Sequence, residues 1–197
     1  MSEKGERDDL DRTDMSELAS GGEAALNRLM DRHGHRVLHF LTRILGDEQE
    51  AMDLTQETFV KVYLHAKRFR PHGKFSTWLY AIASNLARDR FRWRKRHPNI
   101  SLSVFKKDDL NPSLEEIVEE RPNPQEMASH SEEAQMVEKA IAELPEELRV
   151  PIVLSEYEGR RHAEIAEILG CSTKAVEMRV YRARKQLRSC LAKILKI

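Results

Sequence analysis

An all-α chain, two small helical domains joined by an acidic flexible linker, is what this sequence predicts, and three observations carry it. Apolar residues recur at three- and four-residue spacing through most of the chain, as helices with one buried face require. No stretch alternates apolar and polar residues for long enough to make a strand. Between 98 and 130 four prolines stand among acidic residues, a composition that buries too little apolar surface to join either neighbour. A length of 197 residues suits two small domains of this kind.

In chain order, residues 1–15 are read as a disordered tail. Helices are expected over 16–31, 33–45, 48–67 and 76–95, with breaks at Gly34, Gly46-Asp47 and Pro71-His72-Gly73, making a first domain over 16–97. The linker 98–130 holds at most a short helix at 113–120. Helices over 131–143, 146–157, 162–169 and 173–194 then form a second domain, 131–197. Pro145 suits an early helix position, whereas Pro151 is expected to interrupt or kink its helix.

Thirty-three basic and thirty-three acidic side chains cancel, which excludes a bulk polyelectrolyte. The charge is nonetheless separated. Residues 1–59 hold fourteen acids and seven bases, net −7, while 60–97 hold eleven bases and one acid, net +10. Residues 108–147 carry thirteen acids against two bases, net −11, and 160–197 return to +7 from ten bases and three acids. Two basic blocks around an acidic one suit two surfaces for a polyanion, or two solvated helix faces with a spacer.

The start of the chain lacks the apolar core of a signal peptide, and no apolar run approaches a membrane span, so a cytoplasmic protein without membrane insertion is expected. Cys171 and Cys190 make neither a disulfide framework nor a zinc motif. His33, His35 and His39 do not share one helical face. No metal, cofactor or enzymatic activity is expected, because no carboxylate cluster, Ser/His/Asp set or phosphate-cradling Gly-rich loop is present.

Near the C-terminus, AEIAEILGCSTKAV has the spacing of a helix-turn-helix. Ala166 is small where two helices cross, Gly170 can end the first helix in the left-handed conformation, and Ser172 can cap the second. Ile165, Leu169, Val176, Val180 and Leu187 supply the apolar seam. The second helix presents Lys174, Glu177, Met178, Tyr181 and Arg182, with Arg179, Arg184, Lys185 and Arg188 around them. Such a helix fits a major groove, where Arg pairs with guanine and other cations meet phosphates. A helical hairpin with a basic outer face is the plainer alternative.

Eight of the twelve aromatic residues fall between Phe59 and Trp93, inside or beside the most basic block. Aromatic faces among cations suit bases that have left a duplex stack. On the helix after Lys74, residues Phe75, Trp78, Leu79, Ile82 and Leu86 fall on a core side. Phe69, Arg70, His72, Tyr80, Ser84, Asn85, Arg88, Arg92 and Trp93 are left for another surface; an aromatic core under a solvated basic face reads equally well. Upstream, Asp53, Gln56, Glu57 and Val60 share a helix face that suits docking to a basic partner, while Leu54, Phe59 and Val62 turn inward.

Together, DLTQETF, FRPHGKFSTWLYAIASNLARDR, the acidic linker, LPEELRVPIVLSEYEG and AEIAEILGCSTKAVEMRVYRARKQLR resemble a bacterial sigma factor. The resemblance is to the small extracytoplasmic-function subfamily of the housekeeping sigma family, over about 23–97 and 131–195, with the second and fourth conserved regions only. It implies that Asp53, Gln56, Glu57 and Val60 dock on the β′ clamp helices of core RNA polymerase, and that the second domain meets the β flap. It implies that the loop carrying Phe69, Arg70, His72, Lys74 and Ser76, with Tyr80 and Asn85 on the next helix, captures a flipped base of the minus-ten strand. Arg88, Arg90 and Arg92 would hold backbone there.

The minus-thirty-five duplex would be read through Lys174, Glu177, Met178, Tyr181 and Arg182, with Arg161, Ser172, Arg179 and Lys185 in support. An inhibitory anti-sigma factor is implied as a further partner. Arg161 departs from the family by standing where a small hydroxyl residue often caps the first helix of the pair. The competing reading is a duplex-operator regulator whose N-terminal domain serves only for interaction. A duplex-only regulator has no need of the basic, aromatic segment from Phe59 to Trp93.

Overall fold

The computed structural model describes residues 3–70, 73–97 and 134–195. The linker 98–130, its short helix at 113–120 and His72 lie outside the described residues. Among the described residues every regular element is helical: α1 (Glu3–Ala19), α2 (Ala24–Leu45), α3 (Glu48–Leu64), a 3-10 turn (Ala66–Arg68), α4 (Phe75–Arg96), α5 (134–142), α6 (Glu146–Glu156), α7 (His162–Leu169) and α8 (Thr173–Leu195).

The first helix corrects two expectations. Residues 1–15 are not a tail throughout, because α1 begins at Glu3 and seats Met15 and Leu18 in the core. Few apolar residues hold it, and ion pairs do much of the work. The buried Asp11 accepts from Arg32 Nε at 3.0 Å and meets His33 Nε2 at 2.8 Å, and Asp14 accepts from Arg28 Nε at 2.8 Å. Burial alone would raise the Asp14 carboxyl, but Arg32 and Arg28 hold it below its ordinary value. The break then falls at Gly21, with φ of 99°, inside the expected helix 16–31.

α2 runs through Gly34 without a break. Leu29, His33, Val37, Phe40, Leu41 and Ile44 form one continuous buried stripe, and that packing outweighs the modest helix penalty of one glycine. The expected stop at Gly46-Asp47 is present: Gly46 is left-handed, its N–H bonds Thr42 O at 2.8 Å, and Asp47 accepts the Glu50 N–H at 2.8 Å to start α3.

In the second domain α6 continues across Pro151. The proline removes one backbone donor, but Leu148, Ile152, Val153 and Leu154 are buried around it, so tertiary packing maintains the helix. At the helix-turn-helix, Gly170 is left-handed with φ of 63°, the Cys171 N–H reaches Ala166 O at 3.0 Å, and Ser172 Oγ accepts the Ala175 N–H at 3.2 Å. Arg161 occupies the N-cap of α7 without capping it. Glu164 instead reaches back to accept the Arg161 N–H at 3.1 Å.

The two domains are not separate. α6 lies against α2, α7 lies along α4, and one apolar core runs through both. Arg149 bolts them together, donating from Nη1 to Ile44 O at 2.6 Å and from Nη2 to Leu144 O at 2.8 Å.

Candidate nucleic-acid interface

α8 stands open. Its inner stripe of Val176, Val180 and Ala183 is buried, which turns Lys174, Glu177, Met178, Tyr181, Arg182 and Lys185 outward. Tyr181 is 63% exposed and Met178 46%, large apolar surfaces left in water on a helix of major-groove dimensions. Arg161 and Ser172 are also exposed, whereas Arg179 is half-buried, with Nη1 3.6 Å from Cys171 Sγ. The duplex-reading residues expected on α8 therefore share one face, with Arg179 at its inner edge.

The loop before α4, with the first turns of α4 and Glu167 of α7, forms a cavity of about 280 Å³ that Arg68, Phe69, Arg70, Lys74, Thr77 and Trp78 also line. Phe69 and Trp78 set its aromatic wall, their ring centroids 5.5 Å apart. Trp78 was expected in the core; it is only half-buried and lines this cavity with Thr77, which the spacing did not single out. A flat apolar wall ringed by cations can stack a base and neutralise its phosphate.

The other residues expected to read a single strand divide. Asn85, Arg88 and Arg92 lie along one side of α4, with Asn85 Oδ1 accepting from Arg88 Nη1 at 3.2 Å. Arg90 turns away, 3.6 Å from the buried Glu50, which Arg94 also binds. Ser76, Tyr80 and Ser84 are buried, contrary to the expectation that they belong to an open surface. The second domain covers them: Tyr80 Oη donates to Glu158, and Arg160 Nη1 donates to Ser76 Oγ at 3.0 Å with its guanidinium 4.8 Å from the Tyr80 ring centroid. Burial, then Glu158, pushes the Tyr80 phenol well above its ordinary value, so the hydroxyl stays a donor.

Lys74, at the mouth of the cavity, is likewise engaged, with Nζ 2.7 Å from Glu164 Oε1. Burial tends to raise the Glu164 carboxyl, but Lys74, the Arg161 N–H and the charge of Arg160 together lower it to about 2. The Glu164 carboxylate is therefore ionised at neutral pH.

α3 buries Leu54, Thr58, Phe59 and Val62 and exposes Asp53, Gln56, Glu57 and Val60 as one face. Met52, Tyr63 and Leu64 are exposed on the same helix and add apolar area to it. No described helix is long and apolar enough to cross a membrane.

Residues 29–97 match the family described as Sigma-70 region 2, and residues 134–187 match Sigma-70, region 4. Among curated relatives, the ECF RNA polymerase sigma factor SigE of Mycolicibacterium smegmatis is 34% identical over 178 residues, covering 89% of this chain and 66% of that longer protein. The ECF RNA polymerase sigma factor SigW of Bacillus subtilis is 30% identical over 177 residues, 90% of this chain and 94% of that one. Among solved structures, CnrH in complex with the cytosolic domain of CnrY superposes with a TM-score of 0.67 at 30% identity, covering 93% of this chain and 98% of that chain.

Proposed function

We propose that this chain, which belongs to the extracytoplasmic-function (ECF) subfamily of sigma-70 RNA polymerase sigma factors, divides promoter recognition between its two domains. As a sigma factor it directs core RNA polymerase to promoters in transcription initiation. The exposed α3 face of Asp53, Gln56, Glu57 and Val60 docks on the β′ clamp helices, and α8 reads the minus-thirty-five duplex through Lys174, Glu177, Met178, Tyr181 and Arg182. The single observation that carries the minus-ten assignment is the cavity between Phe69 and Trp78, about 280 Å³ and ringed by Arg68, Arg70 and Lys74.

A base extruded from the non-template strand stacks in that cavity while Arg88 and Arg92 follow its backbone. Melting becomes favourable because the extruded base gains a binding site; the chain uses binding energy and no catalytic group of its own. It acts in the cytoplasm, and an anti-sigma protein restrains it. The test is to mix the full chain with core polymerase and a promoter library, then map open complexes and transcript starts. Tight binding of duplex DNA by a chain that does not associate with core would discard this reading in favour of a simple operator-binding regulator.

A further inference from the structure

α2 carries three histidines that promoter recognition does not use, and they stand in different surroundings. His33 is buried and meets Asp11 at 2.8 Å, so the failure of all three to share a helical face speaks only against a three-histidine centre. His35 and His39, four residues apart and both exposed, do share a face. Their rings stand nearly perpendicular, at 85°, with centroids 4.1 Å apart, and the two Nε2 atoms approach to 3.0 Å. Two ring nitrogens at that distance are held together by one shared proton, and a metal cation can take the proton's place.

Imidazole binds late first-row metal ions at about 2.0–2.1 Å, so nitrogens in adjacent positions of a tetragonal or octahedral ion lie about 2.9 Å apart. A tetrahedral ion would need about 3.4 Å. The observed 3.0 Å fits the first case with the side chains almost where they stand. Histidines at this spacing on one helix face are also the pair by which H-E-x-x-H helices hold zinc. The surroundings do not oppose a cation: Arg43 bears on His39 with positive charge, and Glu158 and Glu48 offset it. Among the described residues no third His, Cys, Asp or Glu completes the group, which leaves the remaining positions to water.

From this geometry we propose that His35 and His39 form a two-point chelate on the exposed face of α2 for a late first-row divalent cation of tetragonal preference, copper or nickel. The ion fixes one turn of the helix. That turn lies between Arg32, which donates to Asp11 of α1, and Ile44, whose carbonyl accepts from Arg149 of the second domain. An ion that binds the folded helix and not the unfolded chain stabilises the protein by mass action.

The test uses the full chain and Cu2+ presented as its iminodiacetate complex, which leaves adjacent positions open and so favours paired imidazoles over single ones. The wild type should take up one complex per chain, show two imidazole nitrogens in its electron paramagnetic resonance spectrum, and melt at a higher temperature as the complex is added. His35→Ala and His39→Ala should each lower the affinity at least tenfold, because a chelate loses its advantage with either arm. A control, His65→Ala with His97→Ala, removes histidines from other elements and should leave the affinity within about twofold.

Uptake that survives in either alanine variant, a single-nitrogen spectrum in the wild type, or an equal loss in the control overturns the proposal. Both side chains are exposed, so alanine should leave the core intact. Should a metal-free melt show otherwise, His35→Gln and His39→Gln keep a polar side chain at each position and answer the same question. The readouts involve neither polymerase nor DNA, so they stand apart from the promoter assignment.

Discussion

The chain has two cation-rich surfaces of similar composition, and they meet opposite surroundings. α8 carries Lys174, Arg182 and Lys185 into solvent, whereas Lys74, Tyr80 and Ser76 on the first domain are each held by a residue of the second. Exposed basic side chains on a helix are free to bind phosphate at once; a lysine already paired with a part-buried carboxylate must first lose that partner. The difference teaches that basic sequence alone does not define an available surface. What packs across from it does.

The sharpest way to break the comparison is to remove one reader from each surface. Arg182→Ala should weaken minus-thirty-five duplex binding by about 1–3 kcal/mol, in free chain and holoenzyme alike. Trp78→Ala should cost about 1–3 kcal/mol of single-strand capture, visible in the holoenzyme, and leave duplex binding by the free chain unaltered. Fluorescence anisotropy with the two probes separates these, and a free-chain duplex defect in Trp78→Ala would end the distinction.

Arg149→Ala probes the bolt between domains. It strips donors from the carbonyls of Ile44 and Leu144 and should cost about 1.5–3 kcal/mol, read as faster amide exchange at the end of α2 and the start of α6. A uniform loss of stability confined to the second domain would instead mean that Arg149 only ties α6 to the end of α5.

Gly170→Ala places a side chain at φ of 63° and should cost about 1–2 kcal/mol through backbone strain, with no clash, since nothing lies within 4 Å of the added carbon. The expected result is a lower melting temperature and weaker duplex binding, without a change in single-strand capture by a holoenzyme that remains folded.

The smallest expected effect is a pH response. The Glu164 carboxyl titrates at about 2 in the folded chain against an ordinary value of 4.5, so its contribution is full above about pH 4.5 and fades as pH falls toward 2. Exchange over Ser76–Ser84 should therefore quicken between pH 5 and 3 by the comparison of extrapolated rates. An unchanged ratio would show that the Lys74 pair adds nothing to closure.

Much of this was legible in the residues. The α7 span was expected at 162–169 and found as His162–Leu169, because Gly170 and Ser172 mark its end and its successor's start. The outward set on α8 and the exposed face of Asp53, Gln56, Glu57 and Val60 on α3 followed from helical period alone. The cap of α7 did not follow: Arg161 cannot accept an N–H, and Glu164 three residues on supplies the oxygen, a capping-box spacing that was present to be read. α1 was missed because its burial rests on Asp11 and Asp14, residues whose charge reads as solvated until Arg28 and Arg32 are placed beside them.

By itself the sequence determined the helical elements from α3 onward and the helix-turn-helix, since each depends on neighbours within about one or two helical turns, and the segregation of charge, which is a matter of composition alone. Only the tertiary structure decided that α4 is buried on a second face. Tyr80 and Glu158 are 78 positions apart, Lys74 and Glu164 are 90, and such pairs leave no periodic trace in either segment. A helix face with serine, tyrosine and lysine reads the same whether it awaits a nucleic acid or a carboxylate, because both present the same charged oxygen to the same donors.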